Sequence, residues 1–237
     1  MLAVSVEGVP SASPASMTKE PSVDQLTEVH RHAWNEYWTD DSVELRQNGP
    51  AEALRELLED HRWLLPRGRC LVAGCGRGDD ALYLAQRGLA CVAIDFCDAA
   101  IAKAQKRRCD AYILSGSLLD SADPPLGKLT FAVQDILTFK PKLRFSLAYE
   151  YGLFSAIHPS QRQKWAEAYA RLILPQGTLI VLLYPLIGRG QSPPYRVTMA
   201  ECESFLKRYF VLVRVDPNCR CAEGNMGNEL MSVWKRL

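Results

Sequence analysis

The sequence predicts an α/β fold, a parallel sheet covered by helices on both faces. Three observations predict it. From Cys70 onward, short apolar runs alternate with helical stretches at the spacing of parallel strands joined by crossover helices. The first run breaks into glycines, "VAGCGRGDD", and then opens a helix, the strand–turn–helix of a nucleotide crevice. Two further strands follow at the end of the chain, as they do where a sheet acquires an antiparallel edge.

The elements read in order as follows. Residues 1–23 are rich in Ser, Pro and Ala and read as a disordered tail, leaving 24–237 as one domain. "VDQLTEVHRHAWNEYWTD" has helical spacing, with Leu26, Val29, Ala33 and Tyr37 on one side. "AEALRELLEDHRWLL" is a second amphipathic helix, closed by Pro66 and Gly68. Strands are expected at Cys70–Ala73, Ala90–Ile94, Leu129–Val133, Phe145–Tyr151 and Thr178–Tyr184. Helices are expected between them at Asp79–Arg87, Asp98–Arg108 and Gln161–Leu174. Ala111–Ile113 reads as a short strand before a Ser/Asp/Pro-rich loop. A helix at Met199–Lys207 and strands at Phe210–Val215 and Glu229–Lys235 complete the chain.

The 237 residues suffice for one α/β domain with a full core. A net charge of +1 argues for neither a nucleic-acid nor a membrane-surface partner. The longest apolar run, "LIVLLYPLI", falls well short of the roughly 18 residues of a spanning helix. The N-terminus has no basic region and carries Glu7 early, so no secretory signal is expected. The eight cysteines are accordingly read as reduced, in a cytoplasmic monomer acting on a small molecule.

The glycine loop limits the ligand. Gly74, Gly76 and Gly78 follow the first strand, but the dinucleotide fingerprint wants a third glycine where Asp79 stands. A pyrophosphate on this helix start would meet Asp79 and Asp80; a cationic ligand would not be repelled. S-adenosylmethionine, with a sulfonium and an ammonium, is such a ligand. Asp95 closes the second strand about 20 residues on, the place of a ribose-binding acid. Asp135 follows the third strand, where it can accept from the adenine amino group; Phe96 and Ile136 are placed beside these acids as cofactor contacts.

The segments "VAGCGRGDD", "VAID", "QDIL", "YEYGLFSAIHPSQRQKWAEAYARLILPQGTLIVLLYP" and "SPPYRV" together resemble the thiopurine S-methyltransferase family, with its thiol and halide methyltransferase relatives. The likeness runs from about residue 30 to the C-terminus. It implies a class I methyltransferase fold, Rossmann-like, with seven strands and one antiparallel edge strand. It also implies S-adenosylmethionine as cofactor and a lid in which Trp34 and Trp38, an i, i+4 pair, pack over it. Two stretches depart from the family. "RQNG" places Arg46 and Gln47 where relatives have an aromatic and an acid, which argues against simple halide methylation. Glu150-Tyr151 replaces the Asp-Arg of thiopurine members and the Asp-Tyr of halide members, which favours a neutral or aliphatic thiol.

Methyl transfer from a sulfonium needs alignment more than a strong base, since a thiol of pKa near 8.5 supplies some thiolate. Glu150 and Tyr151 are the candidate catalytic residues, with His158 nearby in the sequence. Glu150 is also a candidate for the cofactor's amino acid end. Cys219 and Cys221, in "DPNCRCAEGN", raise an arsenic-methylating alternative that would need a third thiol. A non-catalytic cofactor-binding subunit is a further alternative. "Ser192-Pro193-Pro194-Tyr195" is expected to be a stiff wall of the pocket.

Overall fold

The computed structural model describes residues 23–40, 49–60, 65–114, 128–188 and 193–237. The expected N-terminal tail through residue 22, the Arg46–Gln47 stretch, the loop at 115–127 and Ser192 lie outside the described residues.

Seven strands form one sheet in the order β3-β2-β1-β4-β5-β7-β6. They are β1 Arg69–Ala73, β2 Ala90–Asp95, β3 Leu129–Val133, β4 Phe145–Tyr151, β5 Ile173–Leu183, β6 Phe210–Asp216 and β7 Leu230–Arg236. The first five run parallel. The antiparallel strand comes at the expected edge: β7 is inserted between β5 and the outermost β6 and opposes both. The helices are α1 Val23–Thr39, α2 Glu52–Glu59, α3 Asp79–Gln86, α4 Asp98–Leu114, α5 Leu153–Ala156, α6 Arg162–Leu172 and α7 Met199–Leu206. None among the described residues is long and apolar enough to cross a membrane.

Alternation along the central strands divides the core into two layers. Leu71, Ala73 and Ala148 point into a layer with α6 and α7, built around Trp165, Tyr169 and Trp234. Cys70, Val72, Leu147 and Tyr149 point into the other, with α2 and α3. Burial on both faces explains why β1 and β5 read as unbroken apolar runs.

Two expectations are corrected. Ala111–Ile113 is not a strand, because α4 continues through it to Leu114. The helix after Gln161 stops at Leu172 and not Leu174, because Ile173 already pairs with Phe145. Pro175 and the left-handed Gln176 then form a bulge before Thr178 pairs with Leu147. On α1, Val29 is 57% exposed, while Arg31 lies over the Phe96 ring at 5.5 Å. That helix lays a polar and aromatic face, with Arg31 on Phe96 and Trp38 on the glycine loop, across the strand ends.

Candidate active site

The crevice begins where β1 ends. The chain turns through Gly74, Gly76 and Gly78 at φ of 64°, 51° and 83°. The turn is held by Cys75 N–H donating to Ile94 O at 3.0 Å and Gly78 N–H to Cys75 O at 2.9 Å. A side chain at Gly76 would need left-handed backbone, and its Cβ would lie 2.8 Å from Trp38 Cζ2. Trp38 therefore rests directly on the loop. Gly78 occupies the N-cap of α3 and supplies no side-chain cap. Asp79 and Asp80 sit in the first turn of α3, at its positive end.

The two aspartates then diverge. Asp79 is held by Arg77 at 2.5 Å and Arg107 at 3.0 Å, so two guanidiniums match its charge. Asp80 accepts a hydrogen bond from Ala51 N–H at 2.7 Å, and burial pushes its carboxyl up to about 7. The expected repulsion of a pyrophosphate thus narrows to Asp80.

Asp95 lies at the end of β2 and is 7% exposed. Its Oδ2 accepts from Gly76 N–H and its Oδ1 from Cys97 N–H, both at 3.0 Å. One carboxylate therefore clasps the glycine loop to the β2–α4 turn. Burial raises its pKa against the pull of those bonds. Each oxygen retains lone-pair capacity toward the crevice. Asp135 Oδ1 accepts from Leu137 N–H at 2.9 Å, while Ile136 is buried in the α6-side layer. The adenine-side candidates thus shape the turn after β3. Phe96 stands under Arg31 of the α1 lid.

A cavity of about 220 Å³ opens beside the loop, lined by Trp38, Gly49, residues 72–80, Tyr149 and Tyr151. Trp34 is not part of its lining and packs edge-on against Tyr37 at 5.4 Å. The structure thus brings together Trp38, the three glycines and Tyr151, but not Glu150. Glu150 points to the opposite face of β4, as its position between Tyr149 and Tyr151 requires. It is fully buried, and its Oε2 accepts from Leu153 N–H at 2.8 Å and Phe154 N–H at 3.3 Å, holding the start of α5. Desolvation pushes its carboxyl up to about 8, so it is largely protonated at neutral pH. Its placement under α5 separates it from the catalytic role expected of it.

Tyr151 has a partner that sequence reasoning missed. Its hydroxyl donates to Glu229 Oε1 at 2.5 Å, and Asn225 Nδ2 donates to the same oxygen at 2.7 Å. Glu229 is 1% exposed, and its Oε2 has no hydrogen-bond partner. The antiparallel β7 explains the meeting, since its first residues lie level with the C-terminal ends of β4 and β5. No motif marks Glu229; the alternation in "AYEY" does put Tyr149 and Tyr151 on one face. Burial, and after it Glu229, raises the Tyr151 pKa, so the phenol stays protonated.

His158 caps the short Pro159–Gln161 turn, its Nδ1 accepting from Ser160 N–H at 3.3 Å. Its ring lies 6.0 Å from that of His30 and 5.9 Å from that of Tyr195. The loop after residue 192 is pinned by Tyr195 N–H on Ser155 O at 2.7 Å and Val197 N–H on Pro185 O at 3.0 Å, and residues 193–197 are not among those lining the cavity. Burial raises Cys219 to about 12 and raises Cys221 as well. Among the described residues, no group of three His, Cys, Asp or Glu converges as a metal site would require.

Known proteins resemble this chain in sequence and in fold. The family model for thiopurine S-methyltransferase fits residues 29–226. Thiocyanate methyltransferase 1 of Arabidopsis thaliana is 29% identical over 210 residues, covering 88% of this chain and 86% of that protein. Probable thiol methyltransferase 2 of the same plant is 27% identical, covering 89% and 88%. The N-methyltransferase NodS of Bradyrhizobium japonicum WM9, solved with S-adenosyl-L-homocysteine, superposes with a TM-score of 0.64 at 16% identity, over 87% of this chain and 98% of its own.

Proposed function

Because the chain belongs to the thiopurine S-methyltransferase family, we propose that it transfers a methyl group from S-adenosylmethionine to the sulfur of a small-molecule thiol. The observation that carries this reading is the cavity in which Trp38 closes over the glycine loop between Asp80 and Tyr151.

The site fits the cofactor. Its described lining carries Asp80 and the Asp79–Arg77 pair, with the Tyr149 hydroxyl buried beside Asp80. Such a wall suits a ligand carrying a sulfonium and an ammonium. When bound, the cofactor supplies a methyl group already activated by positive sulfur. The protein's share is then alignment and exclusion of water. Asp95 takes the ribose hydroxyls while holding the loop; Gly74, Gly76 and Gly78 let the backbone approach. Asp135 and Ile136 border the adenine, with Phe96 at its side. Trp38 covers the sulfonium, and Trp34 packs against Tyr37 on the same helix. Tyr151 faces the acceptor, and Glu150 positions α5 beneath the acceptor pocket. The reading includes a cytoplasmic monomer with reduced thiols and no nucleic-acid partner.

The test is methyl transfer from labelled S-adenosylmethionine to a panel of thiols, halides, thiocyanate and arsenite. Label on a thiol supports the proposal; label on arsenite alone, or binding without any transfer, refutes it.

A further inference from the structure

Behind the cavity wall lies a polar chain whose parts come from two distant places in the sequence. Tyr151 ends β4 and lines the cavity. Glu229 precedes β7 and accepts the Tyr151 proton donor at 2.5 Å. Asn225, in the preceding turn, donates to the same Oε1 at 2.7 Å. Both bonds require Glu229 Oε1 to act as acceptor, so the Tyr151 hydroxyl hydrogen is committed inward. What Tyr151 offers the cavity is therefore an oxygen lone pair, an acceptor and not a donor.

The rest of the surroundings has the same sign. Asp80 from α3 lines the cavity beside Tyr149. Among the described residues, the charged side chains lining it are Arg77, Asp79 and Asp80, and the arginine is already paired with Asp79. Among the described residues, Glu229, Asp80, the Cys221 thiol and the Tyr149 and Tyr184 phenols face Tyr151. A preformed anion beside Tyr151 would meet the lone pair of its hydroxyl oxygen, with the Glu229 carboxylate behind it. A neutral nucleophile bearing a hydrogen would find an acceptor for it.

We propose that the acceptor is a neutral, protic thiol and not a preformed anion such as a halide or thiocyanate, and that Tyr151, backed by Glu229, takes its proton. The inference rests on the methyltransferase reading and specifies its substrate class. The step balances as a relay. The acceptor S–H bond breaks and its proton binds Tyr151 Oη. The original Tyr151 proton moves to Glu229 Oε1. One negative charge passes from Glu229 to the acceptor sulfur, leaving tyrosine neutral and a thiolate nucleophile in the cavity. Tyr151 touches the acceptor; Glu229 and Asn225 act through it as positioning residues.

The experiment compares wild type, Tyr151→Phe and Glu229→Gln, each first checked by thermal melting and by calorimetric titration with S-adenosylhomocysteine. Substrates are an alkane thiol, 4-nitrothiophenol (a thiolate at neutral pH), thiocyanate and iodide. Tyr151→Phe should retain S-adenosylhomocysteine binding and lose roughly 100-fold in kcat/KM on the alkane thiol, the scale of general base catalysis. On 4-nitrothiophenol it should change little. A readout without turnover uses thiophenol and S-adenosylhomocysteine together, below the pKa of the free thiol. The thiolate absorbance should appear with wild type and not with Tyr151→Phe. Glu229→Gln should follow Tyr151→Phe if it folds; if it does not, Tyr151→Phe decides alone. Equal losses on both thiols, or wild-type preference for thiocyanate or iodide over the alkane thiol, would overturn the inference and leave the methyltransferase reading standing. Failure to bind S-adenosylhomocysteine or to methylate anything would remove that reading, and the inference with it.

Discussion

Replacing Asp95 by alanine separates the two tasks that the structure gives this carboxylate. The first is structural. The substitution leaves the Gly76 and Cys97 N–H groups without their present acceptors in a buried turn. An unpaired buried donor costs about 1–3 kcal/mol, so two cost about 2–6 kcal/mol. Against this, burial raises the Asp95 pKa, so the wild-type protein bears a desolvation penalty at neutral pH that alanine lacks. The net loss should be about 1–3 kcal/mol, or a melting temperature lower by roughly 3–10 °C in a domain of this size. The second task is ligand binding. Losing a charged acceptor for ribose hydroxyls removes about 1.5–3 kcal/mol, roughly a 10- to 100-fold weaker Kd. Asp95→Asn should rescue neither fully, because its amide keeps one acceptor oxygen but turns an N–H toward the other donor. Melting and calorimetric titration with S-adenosylhomocysteine measure both tasks on the same samples. Melting within 1 °C of wild type, together with an unchanged Kd, would refute the reasoning.

Three further outcomes follow from single features. Gly76→Ala puts a methyl group against Trp38 in left-handed backbone; S-adenosylhomocysteine binding should weaken at least roughly tenfold, and Trp38→Ala in the same chain should relieve the steric part while leaving the backbone cost of about 1 kcal/mol, read by urea unfolding. Glu150 titrates in the folded state near 8, above its ordinary value, so its stabilising contribution is present at low pH and is lost as pH rises to that value. Glu150→Gln should therefore gain on wild type by more than about 1 kcal/mol between pH 5.5 and 8, seen in urea midpoints. Asp80 ionises near 7, and its charged form favours a sulfonium; binding of S-adenosylmethionine relative to S-adenosylhomocysteine should tighten from pH 6 to 8, and Asp80→Asn should abolish that trend in calorimetry.

Much of the fold was legible because β1, β2, β4 and β5 are buried on both faces and read as apolar runs between glycine and helix signals. The errors fall where another force prevailed. Ala111–Ile113 looks like a strand locally but continues an established helix, where each added residue needs no new nucleus. The site was half legible. The glycine loop and Asp95 announce themselves by spacing and Trp38 by the family resemblance, and the structure puts Asp95 and Trp38 against Gly76. Glu150 was read as facing the site although alternation with Tyr149 and Tyr151 turns it away. Glu229 was invisible, because only the antiparallel insertion of β7 carries it from the far end of the chain to Tyr151.

The measurement that bears most directly on the account is calorimetric titration of the purified chain with S-adenosylmethionine, S-adenosylhomocysteine and NAD in parallel. The account predicts saturable binding of both adenosyl ligands, weakened in common by Asp95→Ala, and no heat of binding from NAD. Binding of NAD with neither adenosyl ligand bound would contradict it at the glycine loop.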